Sequence, residues 1–569
     1  MEVRDHPALR SSLITYLGNK RRLLPLVADG FAHLQHEIGS IDRVAEPFAG
    51  SGVVGRMARL AGCTVHSNDI EDYTRPFGRA FLEVQPEDVD PLFGGVGGYR
   101  ARLDRLNALS EPNAASSRYF SRHYAPRTTE SADPNRERLF FTRENALRID
   151  AMLEAIHGVD GPDVGRPNAP DDDATTLRRD ILLASVLVEM SIHNNTSGVM
   201  KGFHHGWGGR GGDALGRIMA PVRLEPLPFI AGPRGTVTVG NATEVFADAS
   251  LPEFDVAYLD PPYTIHQYGA NYHLLTSAVR WDRYDPGPVA PGSRAGIRRD
   301  HLRSDFCRRG DRRAYRAFAR TLDVLRARAL LVSYNTDGII PAAELATLLS
   351  DDGANTLLLS SGEYHKFRGG KGTQQALHTT EHLYIVIRGR RQSGADRRRV
   401  FDQLHRVTLE RTIRDTAILP DRWSAAGGTV TVLTTESDRN THGPRRSGSV
   451  RPQFRLSDSR GNTILLDRQY RVRTIENLPD PDHVVSLIDR SSAQKPEVCD
   501  ALIAAGEIRE AMAVLQSLKI QKYSVEFDHL AARLARRDLA PEDRARLEAL
   551  TARVRGRPVP PEDRSPAGP

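Results

Sequence analysis

Residues 256–263 read Val-Ala-Tyr-Leu-Asp-Pro-Pro-Tyr, an apolar run of strand type that ends in a carboxylate, two prolines and an aromatic ring. Proline lacks the N–H that a sheet ladder needs and fixes φ, so the strand must stop at Pro261 and Pro262. In the stiff turn that follows, the Asp260 carboxylate and the Pro261 carbonyl can each accept one N–H, while the Tyr263 ring can stack on a plane. Together these groups suit a planar substrate that carries an amino group. An acid at the carboxyl end of a strand is also where open α/β sheets place their chemistry. Read alone, a turn that merely closes a buried strand has the same signature.

Two further clusters stand upstream. In residues 11–25 the turn pair Gly18-Asn19 is followed by Lys20 at the start of a helix-like stretch. A lysine held by a tight turn can reach a carboxylate or a phosphate; a solvated lysine is the plain alternative. Residues 44–48, Val-Ala-Glu-Pro-Phe, read as a short strand, and a run containing Gly50 and Gly52 leads from it into a helix-like stretch ending near Leu60. Glycines let backbone approach a ligand, and a new helix offers free N–H groups to an anion. A second strand, residues 63–67, ends beside Asp69, which is placed to accept ribose hydroxyls. The unit reads as a nucleoside-binding βαβ. Gly50 to Gly55 also satisfies the dinucleotide fingerprint G-x-G-x-x-G. Glu46 argues against that reading, because a carboxylate there repels a pyrophosphate and suits an ammonium.

In order and in motif, this chain resembles the class α, Dam-like DNA adenine-N6 methyltransferases. The match runs over roughly residues 11–390: a G-x-K element, a glycine-rich loop, a ribose acid, a long insert, and then Asp-Pro-Pro-Tyr. The resemblance implies a Rossmann-like α/β sheet and S-adenosylmethionine as cofactor. Its binding residues would be Tyr16, Lys20, Glu46, Gly50, Gly52, Asp69, Asn241 and Asp260, and catalysis would fall to Asp260, Pro261, Pro262 and Tyr263. It also implies double-stranded DNA as acceptor, a target-recognition region in the insert, and a cognate restriction endonuclease as a possible companion. Gln267, Tyr268 and Asn271, just past the catalytic turn, are candidates for contacting an extruded nucleotide. Methyl transfer to RNA or to a protein amide, and a DNA-binding subunit without activity, are the rival readings.

The elements that must position these residues divide the chain as follows. Residues 1–79 and 236–390 form the methyltransferase sheet, and 80–235 a helical insert. A basic linker is expected at 391–400, a mixed α+β domain of unread role at 401–557, and a disordered tail at 558–569. The insert interleaves aromatics and arginine at residues 119–124 and 139–143, a mixture that can grip nucleic acid or simply form a small core. The amides, imidazoles and glycines of residues 193–209 suggest close approach to something polar. Residues 294–328 hold twelve Arg and four Asp. Arg294 to Arg313 has no apolar face and reads as a mobile basic loop for phosphate, and residues 363–371 as another. With 78 Lys+Arg against 72 Asp+Glu the whole chain is only mildly basic, which proves no nucleic-acid partner by itself. Cys63, Cys307 and Cys499 share no metal-ligand spacing, so no metal and a reducing compartment are expected. No apolar run reaches the length of a membrane span, and a soluble cytoplasmic protein is the expectation.

Overall fold

The computed structural model describes residues 6–11, 13–111, 118–158, 173–209, 212–365, 378–414, 416–435, 451–467, 470–491, 495–518 and 520–555. It divides into two compact units, Met1–Gly370 with His378–Phe401, and Asp402–Pro569 with Lys371–Leu377.

The first unit is built on seven strands: β1 (Arg43–Glu46), β2 (Thr64–Asp69), β3 (Thr236–Val239), β4 (Phe254–Leu259), β5 (Ala327–Asn335), β6 (Thr356–His365) and β7 (His378–Ile387). They lie in the order β3-β2-β1-β4-β5-β7-β6. The pairs from β3 through β5 are parallel, and β7 alone runs against its neighbours. The α/β class read from the sequence is the observed one. Strand β4 is an almost continuous apolar run, as a parallel strand covered on both faces requires. Strands β1 and β4 are neighbours although β2 and β3 come between them in sequence, so the chain reverses its winding there. Ligands of open α/β sheets bind outside the strand ends at such a switch point.

Helices Leu24–Ile38 and Val53–Leu60 share a core with β4, β5 and β7 that includes Val27, Leu34, Val54, Val256, Leu331 and Leu383. Gly30 sits in the first of these helices at a propensity cost of about 1 kcal/mol. The sheet explains it: a Cβ there would lie 2.7 Å from Leu383 Cδ2 and 3.0 Å from Leu331 Cδ2.

The insert packs as part of this unit. Tyr119, Phe120, Tyr124, Phe140 and Phe141 are buried in one cluster with Leu183, Tyr272 and Trp281. The aromatics of residues 119–141 are therefore core, and only the arginines between them are candidates for nucleic acid. Of the polar loop after the helix Asp173–Ile192, residues His193 to Thr196 are buried, while Lys201 and His205 are exposed. Asn195 is fully buried, and its side-chain amide donates to the carbonyls of Leu139, His204 and Gly206 and accepts from Gly208 N. Its abundance of amides thus closes the loop on itself.

Two segments differ from those expected. Residues 363–365, assigned to a basic loop, are the end of edge strand β6, while residues 366–371 of that loop lie outside the described residues. Strand β7 therefore sits inside the sheet. Most of the expected linker at 391–400 is helix, since Gly394–Arg414 is one continuous element. Nearly all of the expected surface loop at 158–173 and the tail from 558 fall outside the described residues.

The second unit has an antiparallel sheet of β8 (Thr429–Thr435), β9 (Arg451–Ser457), β10 (Thr463–Leu466) and β11 (Val472–Asn477) in the order β11-β10-β9-β8. Trp423 anchors one core, with its indole N–H donating to the Ser457 carbonyl at 3.1 Å. Helices Lys495–Ala504, Ile508–Gln516, Ile520–Ala535 and Pro541–Arg555 enclose another. Among the described residues, no helix is long and apolar enough to cross a membrane.

Gly30→Val should cost about 1–3 kcal/mol through overpacking. Urea denaturation is expected to show a lower midpoint at unchanged slope.

Candidate active site

Asp260 follows directly on β4, and the chain leaves the sheet at Pro261 and Pro262. One carboxylate oxygen, Oδ1, accepts from Lys20 Nζ at 2.7 Å. Lys20 is 3% exposed and reaches this point because Gly18, at φ +81°, turns the chain and Asn19 caps the short helix Lys20–Leu23. The same ammonium lies 3.1 Å from the Gly18 carbonyl and 3.2 Å from Glu381 Oε1 on β7. Three oxygens thus face its three N–H groups. Sequence reading gave Lys20 a direct role toward the cofactor. In the cavity wall it pairs with Asp260 and Glu381, the carboxylate contact that the Gly18-Asn19 turn allowed. Glu381 was missed, since a single acid in the middle of a strand carries no motif.

Tyr263 is 9% exposed. Its ring packs edge-on against Tyr334 with 5.8 Å between centroids, and Lys20 Nζ stands 5.3 Å from its centre.

Beside this turn lies the glycine-rich loop. Asp69, at the end of β2, accepts from Gly50 N at 2.7 Å and from Glu71 N at 3.0 Å. Glu46, at the end of β1, accepts from Gly55 N at 2.9 Å and from Ser67 Oγ at 2.8 Å. Both acids therefore hold the loop in shape with the very oxygens that were assigned to a ligand. Gly50 takes φ +53°, and a Cβ on it would be 2.9 Å from Tyr16 Cε1. Tyr16 itself is stacked on Tyr268 and Tyr272, with centroids 5.1 and 4.9 Å away.

These groups line one cavity of about 290 Å³, together with Pro47, Phe48, Glu71, Asn241, Pro261 and Pro262. All the residues expected for catalysis and cofactor binding except Gly52 are in its wall. Asn241 also caps the short helix Ala242–Val245 through Thr243 N. Glu71, two residues past Asp69, is an addition that its neighbour obscured.

The cavity is acid-rich, and burial shifts its acids. Burial pushes Glu46 up to about 8 and Asp69 up to about 6. Burial, with Asp69 and Asp72 nearby, pushes Glu71 up to about 8. Asp260 is also raised by burial, although Lys20 pulls it down. For Lys20, burial favours loss of the proton, but Asp260 and Glu381 outweigh it and keep the ammonium charged. Such a wall is prepared for a cationic ligand.

Around the cavity three expectations change. Gln267 binds the backbone of Ser304 through both ends of its amide, at 3.2 and 2.8 Å. Tyr268 donates to the Leu17 carbonyl. Asn271 is 3% exposed and outside the cavity wall. Only Tyr268 keeps a place in the site. The stretch Arg294 to Arg313 is also more structural than its composition implied. Arg298 is 1% exposed and chelated by Asp282 and Asp300 at 2.6 and 2.7 Å. It cannot serve a phosphate, whereas Arg299 and Arg309 remain exposed.

Residues 16–285 match the profile of the D12 class N6 adenine-specific DNA methyltransferases. This region belongs to that family. The Type II methyltransferase M.NlaIII of Neisseria lactamica is 26% identical over 378 residues, which cover 66% of this chain and 99% of the relative. The Type II methyltransferase M.CviAII of Paramecium bursaria Chlorella virus 1 is 24% identical over 60% of this chain and 89% of its own length. The modification methylase LlaI of Lactococcus lactis subsp. lactis is 28% identical over 58% of this chain, and the match spans 48% of that relative. The matched region contains the glycine-rich loop and the Asp260 turn that line the cavity.

Two outcomes follow for this methyltransferase unit. The folded state holds the Glu71 proton to about 8, above the ordinary carboxylate value. The stability this contributes is complete at acid pH and is lost as pH rises through the folded value. Glu71→Gln should therefore raise Tm of the ligand-free protein at pH 8.5, with the gain shrinking toward pH 5, as scanning calorimetry would register. Arg298→Ala should lower Tm and leave the salt dependence of DNA binding unchanged. Arg299→Glu with Arg309→Glu should flatten that salt dependence at unchanged Tm.

Proposed function

We propose that this chain transfers methyl from S-adenosylmethionine to adenine N6 in duplex DNA. One observation carries the reading: a carboxylate, Asp260, is clamped through one oxygen by a buried ammonium in the wall of a cavity that a glycine-rich loop completes, with Pro261, Pro262 and Tyr263 directly behind it. The family match supports it.

The wall fits that cofactor. Its excess of carboxylates suits a molecule bearing a sulfonium and an ammonium, and Gly50 lets backbone approach a nucleoside. Tyr16, Glu46, Gly50, Gly52, Asp69, Asn241 and Asp260 are assigned to it with Glu71 added, and Lys20 acts through Asp260. When bound, S-adenosylmethionine supplies the activated methyl group.

The protein's own contribution is alignment. A stacked adenine cannot reach Asp260 and must be flipped out, at roughly a few kcal/mol, part of which stacking on Tyr263 offsets. Because Lys20 holds Oδ1, Oδ2 is left to accept one amino hydrogen while the Pro261 carbonyl accepts the other. Both bonds draw the nitrogen toward sp³ and aim its lone pair into the cavity. The amino group ends one proton lighter, and Asp260 Oδ2 is the acceptor in reach. No nucleophile of the protein takes part, and orientation supplies most of the acceleration.

The acceptor strand is held elsewhere. The insert is the proposed target-recognition region. A cleft of about 1050 Å³ between the insert and residues 285–289 is lined by Arg118, Arg122, Arg127 and Arg136 alongside Asp133, Glu137 and Asp285, and Arg122, Arg127 and Arg136 are exposed. Such a row suits phosphates. A restriction endonuclease as companion and a cytoplasmic location belong to the same proposal, and the relatives' names, type II methyltransferase and modification methylase, support it.

Single-turnover assays with labelled methyl, offering duplex DNA, RNA and protein in parallel, should label DNA at adenine N6. Asp260→Ala should slow transfer at least about a thousandfold, each factor of ten being ~1.4 kcal/mol. Folding and DNA affinity should persist, and 2-aminopurine fluorescence should still report flipping. Near wild-type transfer by the variant, or label on RNA or protein alone, would remove the assignment.

A further inference from the structure

We infer that Glu381 is a positioning residue for methyl transfer, acting on Asp260 through the Lys20 ammonium that both carboxylates share. The inference rests on the methyltransferase reading above. Glu381 is fully buried on β7, opposite Asn335 of β5, and Ser333 Oγ of β5 donates to its Oε1 at 2.7 Å. That same Oε1 lies 3.2 Å from Lys20 Nζ, which lies 2.7 Å from Asp260 Oδ1. A lysine ammonium is a rotor with three donors on a flexible stem. Here the Gly18 carbonyl, Asp260 and Glu381 stop that rotation by giving each donor a direction.

The second carboxylate also sets how strongly Lys20 draws on the first. With Glu381 present the ammonium is shared, and Asp260 keeps the basicity needed to accept an amino hydrogen. With Glu381 neutral, the whole ammonium leans on Asp260, which becomes a weaker acceptor. The other groups facing Asp260 are Glu46 on β1, Tyr258 on β4 and Tyr268 beyond the turn. Among these charged and titratable neighbours, Glu381 alone joins Asp260 on the same ammonium.

The test is the pH profile of single-turnover methyl transfer to duplex DNA. Wild-type protein should show an acid limb above the ordinary carboxylate range. Glu381→Gln should move that limb down by about one pH unit and reduce the plateau rate at least about tenfold. The apparent affinities for S-adenosylmethionine and DNA should stay within about threefold. Glu381→Asp keeps the charge one methylene further back and should move the limb less, so it carries the test alone if the glutamine variant does not fold. A loss of rate at every pH with an unmoved limb would mark Glu381 as merely structural and overturn the inference. Wild-type protein that transfers no methyl to DNA would instead remove the reading on which it rests.

Discussion

A single ammonium inside the sheet sets the terms for the rest of the site. Lys20 is almost fully buried, and taking an ion out of water costs several kcal/mol even after relaxation. Only opposed charge in good geometry offsets this, and the protein supplies it from two strands at once, Asp260 beyond β4 and Glu381 on β7. The arrangement ties the segment before the helix Leu24–Ile38 to the far half of the sheet. It also fixes which carboxylate oxygen of Asp260 is spent on structure and which is left for chemistry. If either partner is removed, the other alone must compensate the buried ammonium. The catalytic turn is therefore supported from below by an ion network as well as from the side by two prolines.

The glycine-rich loop obeys a similar rule. Asp69 and Glu46 spend their oxygens on Gly50 N, Glu71 N, Gly55 N and Ser67 Oγ. A loop of small residues has no side chains with which to hold itself, so buried acids at the tips of β1 and β2 do it. Both acids still border the cavity, where a bound cation would favour their ionised forms. Shape and electrostatics thus come from the same atoms, and either acid would perturb both if replaced.

Arginine shows how one residue type is divided between structure and surface. Arg138 is buried and donates to the carbonyls of His123, Arg294, Pro286, Gly287 and Pro288. Arg298 closes a hairpin of loops through two aspartates. Neither differs in sequence context from Arg122 or Arg127, which face solvent. A planar guanidinium with five donors can replace several missing backbone partners inside a loop-rich region. An Arg-rich composition is therefore weak evidence for phosphate contact until burial is known.

The sequence by itself determined the apolar strand that runs into Asp260, the Asp-Pro-Pro-Tyr turn and the strand-to-helix glycine-rich loop. Each of these is local: apolar runs make strands, proline stops them, and glycine permits φ values that other residues avoid. It also contained Asp69 and Lys20, though not their partners. Tertiary structure alone decided that Lys20 meets Glu381, 361 positions away in the chain. It likewise turned the aromatics of the insert into core, put Asn195 to work closing its own loop, and buried Arg298. Strand order and burial are set by contacts between residues far apart in sequence, and a side chain's chemistry says what it can bind but not which neighbour the fold will bring to it.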